Sequence, residues 1–211
     1  MRVKHHIKIL LAFTLLISCT QSEDYIIETD LNQFLPDTIN GETIKESNER
    51  SRLFTEKLIS KTVNRAIPGI VIFSLNGEKL NLRDVLNNET IIISSDIYCG
   101  WGTECLTNDF PNAIKQLANV HGAFDVICLL KREASDIQNP VRFDSFLTEL
   151  EVYYEKIYII DENEARKINL LANPTRLYIS KNKVVKQIGF GVSLIEDGLL
   201  KEIKENTGAK I

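Results

Sequence analysis

The chain has 211 residues, 44% apolar and 26% charged, the balance of a globular protein, which excludes a collagen-like, coiled-coil or wholly disordered chain. At this length one domain can bury a sufficient core without cross-links, and four cysteines are too few for a disulfide scaffold. A formal charge of −4 argues against nucleic acid as a partner.

In chain order, the first element is an address. Arg2, Lys4 and Lys8 flank and precede an apolar run from Ile9 to Ile17, broken only by Thr14, and no acidic residue occurs before Glu23. The run is too short to span a bilayer and fits a signal peptide over residues 1–18. Its end, Leu16-Ile17-Ser18-Cys19, resembles the lipobox of bacterial lipoproteins. That resemblance implies lipidation of Cys19 as the new N-terminus and a membrane anchor in the bacterial cell envelope. Thr20 in second place, where inner-membrane retention uses Asp, favours the outer membrane, facing the periplasm or the surface. Each buried acyl CH₂ contributes about 0.8 kcal/mol, so a multiply acylated cysteine holds firmly. An ordinary signal peptide with a coincidental cysteine is the alternative. Cleavage removes Arg2, Lys4 and Lys8 but none of the 29 acidic residues, so the net charge falls to −7. His121 is then the sole histidine, which argues against a histidine-based metal site.

Residues 19–66 read as the lipidated cysteine and a polar tether, with a helix over Glu46–Ser60 whose Leu53, Phe54 and Leu58 share a face. A domain is expected over residues 67–211. Gly69–Leu75 is strand-like, Asn76-Gly77 is a hairpin turn, and Lys79–Leu82 returns as a second strand before a helical turn at Arg83–Leu86. Thr90–Ser95 is a short β-branched run of the kind buried on both faces of a sheet. A helix follows over Thr107–Asn119, with Ile114, Leu117 and Ala118 facing inward, then a buried strand at Phe124–Leu130. Phe143–Val152 is a helix, Lys156–Ile160 a strand, and Glu162–Asn169 a helix. Arg176–Ser180 and Val184–Ile188 form a hairpin around Lys181-Asn182-Lys183, and a helix over Leu194–Glu205 ends the domain. Strands alternating with helices give a parallel core, and the final strand–strand–helix adds an antiparallel edge.

This order of elements resembles the thioredoxin-like redoxin superfamily, in the branch of exported TlpA-like and AhpC/TSA-like proteins. The residues that carry the likeness lie within 67–208: the hairpin Asn76-Gly77-Glu78-Lys79-Leu80, the Ile-rich strand running into Tyr98-Cys99-Gly100, Pro111 in the next helix, and Asn173-Pro174-Thr175 before Arg176–Ile179. The resemblance implies an α/β, thioredoxin-like three-layer sandwich. Its mixed sheet would have a parallel core, an N-terminal hairpin, and a C-terminal antiparallel hairpin plus helix. It also implies a thiol–disulfide oxidoreductase, with protein thiols or disulfides of the envelope as partners and no bound cofactor or metal.

The family's usual Cys-x-x-Cys places one thiol at a helix N-terminus, where unpaired N–H groups favour the thiolate, and a resolving thiol one turn on. Here the stretch reads Cys99-Gly100-Trp101-Gly102-Thr103-Glu104-Cys105. By the strand, Cys99 takes the first position and Gly102 replaces the second; counting back from Pro111, Cys105 falls near the second. A continuous helix would separate the two by ~9 Å of rise, too far for a disulfide. A loop closed by Thr103 or Thr107 as helix N-cap would let Cys99 and Cys105 meet. The expectation is a catalytic Cys99–Cys105 pair; the alternatives are a structural disulfide, a single functional thiol, or no functional thiol at all.

Through the same resemblance, Asn173 and Pro174 would hold an extended substrate, with Pro174 cis. Trp101 is read as substrate surface or as a cap on the core, and Glu133 as a proton-transfer group or a solvated charge. Cys128 is read as a core residue. Peroxidase activity is not expected, because Asp96 and Ile92 stand where peroxiredoxins have Thr and Pro before the reactive cysteine. The alternative function is a redox-inactive thioredoxin-fold binding module.

Overall fold

The computed structural model describes residues 24–30, 43–116, 124–133, 140–191 and 196–207. Cys19, the signal peptide, Leu117, Ala118 and His121 lie outside them. Helix α1 (Ile44–Thr62) begins at a reciprocal capping box, in which Thr43 and Glu46 each bond the other's backbone N–H. It is longer than the expected Glu46–Ser60 and presents a different face: Leu58 and Thr62 are buried and Leu53 is exposed.

Strands β1 (Val71–Phe73) and β2 (Lys79–Asn81) form the expected hairpin around Gly77, whose φ of +81° suits glycine. The short helix α2 (Leu82–Val85) starts at Asn81, whose side chain accepts from Arg83 N–H. Strand β3 (Thr90–Ser95) follows, buried along its whole length. Next come helix α3 (Gly100–Glu104), a π-helical turn (Cys105–Asp109) and helix α4 (Phe110–Gln116), which together make one unbroken helical run. Strand β4 (Asp125–Arg132), helix α5 (Pro140–Leu150), strand β5 (Ile157–Asp161) and helix α6 (Glu162–Lys167) complete the middle of the chain. Strands β6 (Thr175–Ile179) and β7 (Val185–Phe190) then lead to helix α7 (Glu196–Thr207).

The seven strands form one sheet in the order β2-β1-β5-β4-β3-β6-β7. β3, β4 and β5 are mutually parallel, and every other pairing is antiparallel. This is the mixed sheet with a parallel core that the sequence pattern implies.

Because side chains alternate along a strand, β3 sends Ile91 and Ile93 to one face and Ile92 to the other. The first face packs against Leu106, Phe110, Phe143, Leu199 and Ile203, from the π turn and helices α4, α5 and α7. The second packs against Ile26, Leu82, Ala165 and Ile168, from residues 24–30, α2 and the α6 region. Cys128 lies in the first of these clusters, fully buried, and desolvation pushes its thiol far up, which suits a core residue.

Parts of the expected tether lie on the domain. Ile26 is buried, and its N–H donates to Ala66 O at 3.0 Å. The buried Asn169 joins three segments: its Oδ1 accepts from Thr29 N–H, and its amide donates to Ile27 O and to Thr62 Oγ1. Among the described residues, no helix is long and apolar enough to cross a membrane.

Candidate active site

β3 delivers the chain to the site at its C-terminal end. Asp96 follows it, buried, and organises what comes next. Its Oδ1 accepts from Tyr98 N–H at 2.9 Å and from Cys99 N–H at 2.8 Å, while its Oδ2 accepts from the side-chain amide of Asn173. One carboxylate thus joins the cysteine turn to the loop before β6, and the two halves of the site are held in register.

Cys99 is the N-cap of α3 and is partly exposed. Its Sγ accepts from Gly102 N–H at 3.4 Å and, as a thiol, donates to Asn173 O at 3.8 Å. The Asn173–Pro174 peptide bond is cis, as the resemblance implied. Cys99, Asn173 and Pro174 are therefore brought together.

Cys105 is not brought to them. The segment expected to be a loop is helical from Gly100 onward, so Cys99 and Cys105 are separated by ~9 Å of helical rise. A disulfide needs Cα atoms within about 7 Å. Thr103 and Thr107 do not cap the helix start. Their hydroxyls donate back to Gly100 O and Thr103 O inside the run. Cys105 is 1% exposed and packs in the core with Leu106 and Phe110. Burial raises its thiol to about 11, partly offset by the Arg176 guanidinium. Among the described residues, Cys99, Cys105 and Cys128 are all free thiols.

The place one turn after Cys99 belongs to Gly102. A β-carbon built there would lie 1.9 Å from Ser95 Oγ and 3.0 Å from Ser95 Cβ, so the Ser95 side chain already fills the space of a second thiol. Trp101 is 67% exposed, which rules out the core-cap reading and leaves it on the surface beside the thiol. Beyond Tyr98, a groove of about 640 Å³ runs between α3 and α5, lined by Gly100, Glu104, Arg142, Phe146 and Glu149. Arg142 lies over the Tyr98 ring, 5.0 Å from its centre.

Glu133 is exposed at the end of β4 and lines a smaller cavity of about 160 Å³ with Asp96, Lys131, Glu162 and Asn173. Glu133 thus lies near the base of the site, beside Lys131. Lys131 is buried, its ammonium donating to Leu170 O at 3.4 Å. Burial pushes its pKa down, and the charges of Asp96, Glu133 and Cys99 push it back up.

Asp96, Ser95 and Lys131 are the site residues that sequence reasoning passed over. Asp96 and Lys131 did carry a signal: Asp96 is a carboxylate directly after the isoleucine-rich β3, and Lys131 is a charge following the apolar Val126–Leu130 of β4. Nothing in the sequence marked Ser95. Among the described residues, no group of three or more His, Cys, Asp or Glu side chains could hold a metal ion.

No family model matches the sequence, and no curated protein matches it. Solved structures do match in fold. A putative protein disulfide isomerase from Bacteroides thetaiotaomicron superposes with a TM-score of 0.52 at 13% identity, over 69% of this chain and 90% of that one. A thiol:disulfide interchange protein from a Bacteroides species gives 0.51 at 11% identity, over 70% and 91%. A thioredoxin-like protein from Bacteroides caccae gives 0.51 at 16% identity, over 79% and 57%. The chain has a thioredoxin-like fold. Within that fold its cysteine turn reads Cys99-Gly100-Trp101-Gly102, facing the cis Pro174 loop.

Proposed function

We propose that this protein is a thiol–disulfide oxidoreductase of the bacterial cell envelope, with Cys99 as its nucleophile and protein thiols or disulfides as its substrates. The observation that carries the reading is the placement of Cys99 Sγ, partly exposed, 3.8 Å from the Asn173 carbonyl beside the cis Pro174. In the exchange step, the Cys99 thiolate attacks one sulfur of a substrate disulfide. A Cys99–substrate bond forms, the substrate's own S–S bond breaks, and its second sulfur leaves as thiolate with the electron pair. The helix-start N–H of Gly102 faces Sγ, and Asp96 keeps Cys99 and Asn173 in register. Asn173 and Pro174 supply the backbone edge for an extended substrate, and Trp101 supplies exposed apolar surface beside it. Glu133 and Lys131, which share a cavity with Asp96 and Asn173, are the groups assigned to take up or return the proton.

Envelope placement rests on the signal-peptide pattern and on the Leu16-Ile17-Ser18-Cys19 lipobox, with Cys19 as the lipid anchor. Acyl groups on the Cys19 peptide by mass spectrometry, and loss of membrane association in Cys19→Ser, test that part. The chemical part is tested by incubating the protein with a disulfide-bonded substrate protein, quenching in acid, alkylating, and mapping mixed disulfides. The expected result is a mixed disulfide on Cys99 that Cys99→Ser abolishes. Wild-type exchange rates in Cys99→Ser would refute the reading.

A second reading, a redox-inactive thioredoxin-fold binding module, draws support from Gly102 at the second thiol position and from the core placement of Cys105. It requires that Cys99 form no mixed disulfide.

A further inference from the structure

We propose that Cys99 is a lone exchange thiol, and that the thiol releasing its mixed disulfide comes from a second molecule. This rests on the reading of Cys99 as an exchange thiol and adds who completes the reaction.

Three observations carry it. First, the residue one helical turn after Cys99 has no side chain, and the space beside it is taken. Ser95 Oγ would sit 1.9 Å from any β-carbon at Gly102, and the Cys99 Cβ itself would be at 3.3 Å. Ser95 is fully buried at the end of β3, so its side chain has no solvent to swing into. Second, Cys105 points its chemistry into the core. Its neighbours there include Leu106 and Phe110, and its burial holds the thiol in the neutral form that does not attack disulfides. Third, the run from Gly100 to Gln116 is continuous, with Phe110 N–H bonded to Cys105 O through the π turn. Reaching Cys99 would require Cys105 to leave the core and the first helical turns to unwind.

The reaction then needs two molecules besides this protein. The Cys99 thiolate attacks a disulfide and releases one thiolate, as above. An external thiolate next attacks the substrate sulfur of the mixed disulfide. A new external–substrate disulfide forms, the bond to Cys99 breaks, and Cys99 leaves as thiolate with the electron pair. The protein ends unchanged, so it moves a disulfide between partners and does not store one. The external thiol belongs to a small monothiol or to a separate dithiol molecule.

The test uses the reduced full chain and 5,5′-dithiobis(2-nitrobenzoate). Reaction at Cys99 releases one equivalent of coloured thiolate and leaves the second as an adduct. The expected result is a wild-type adduct that persists, within about twofold, as long as that of Cys105→Ala. Its release should be first order in added thiol, with N-acetylcysteine in one arm and dithiothreitol in the other to distinguish the two sources. The paired substitution Ser95→Gly with Gly102→Cys should release the second equivalent without added thiol, at least tenfold faster than wild type. If that variant does not fold, the comparison with Cys105→Ala still decides. Spontaneous release from wild type, slowed in Cys105→Ala and accompanied by a Cys99–Cys105 linked peptide, would overturn the inference. Failure to form any adduct on Cys99 would overturn the exchange reading itself, and this inference with it.

Discussion

Replacing Asp96 by Ala tests whether the two halves of the site are tied by one carboxylate. The substitution removes the acceptor for Tyr98 N–H, Cys99 N–H and the Asn173 amide, and it takes a negative charge from beside the buried Lys131. A donor left without its partner at a buried site costs about 1–3 kcal/mol. These three are part-buried, so about 1 kcal/mol each gives a loss of about 3 kcal/mol. For a chain of this size that lowers the melting temperature by about 6–12 °C. Asp96→Asn should behave differently. Its carbonyl oxygen still accepts from the two backbone N–H groups, and its amide would face Asn173. Asn173 Oδ1 is buried without a hydrogen-bond partner, so a turn of the Asn173 amide supplies an acceptor. The loss in Asp96→Asn should therefore be about 1 kcal/mol, or about 2–4 °C. Thermal unfolding by circular dichroism measures both. The rate of mixed-disulfide formation at Cys99 should fall about tenfold in Asp96→Ala, since loss of register by about 1 Å is enough for a far larger effect. A melting temperature for Asp96→Ala within about 1 °C of wild type would refute the reasoning.

Other consequences follow from the same structure. Burial raises the Cys105 thiol from 9.0 to about 11, so the stability it contributes is full below the lower value and is lost as pH climbs through the higher. Between pH 8 and about 10.5, Cys105→Ala should lose about 2 kcal/mol less than wild type in urea unfolding, and parallel losses in the two proteins would contradict this. Glu202→Ala should cost about 3–5 kcal/mol, because it strands the buried Arg176, whose guanidinium now makes a 2.9 Å and a 3.0 Å bond to that carboxylate. Adding Arg176→Met should restore much of the loss, and a single variant as stable as wild type would argue against the pair. Trp101→Ala should change stability by no more than about 0.5 kcal/mol, as expected for an exposed side chain. It should slow mixed-disulfide formation with a protein substrate but not with a small disulfide, and equal rates with both would remove Trp101 from the substrate surface.

Much of the fold was legible because burial leaves a period-two or period-3.6 trace in the chain. Thr90–Ser95 reads as a strand buried on both faces because Ile91, Ile92 and Ile93 form an unbroken apolar β-branched run after the β-branched Thr90, and β3 has those bounds. Asn76-Gly77 fixes a turn locally, because Gly77 needs a positive φ. The loop at Asn173-Pro174-Thr175 was placed against the cysteine only through the family resemblance. Helix α1 was legible in existence but not in its face. Leu53 and Leu58 are alike in sequence, and only contact with the domain decides that Leu58 is the buried one.

The cysteine turn shows where such reading ends. Gly100 and Gly102 disfavour helix by about 1 kcal/mol each relative to alanine, which makes a loop the natural local expectation. The structure is helical there because Leu106, Phe110 and Ala113, on one stripe with Gly102 and Cys105, bury against the sheet. Burying a side chain such as Leu or Phe contributes about 1.5–3 kcal/mol, so two of them outweigh both glycines. The chain alone therefore determined the order of the elements and the parallel core, while the placement of Cys99 opposite Pro174 was implied only by the resemblance. Tertiary packing decided that Cys105 belongs to the core and that Ser95 fills the second thiol's place, because both depend on which surfaces meet across the sheet.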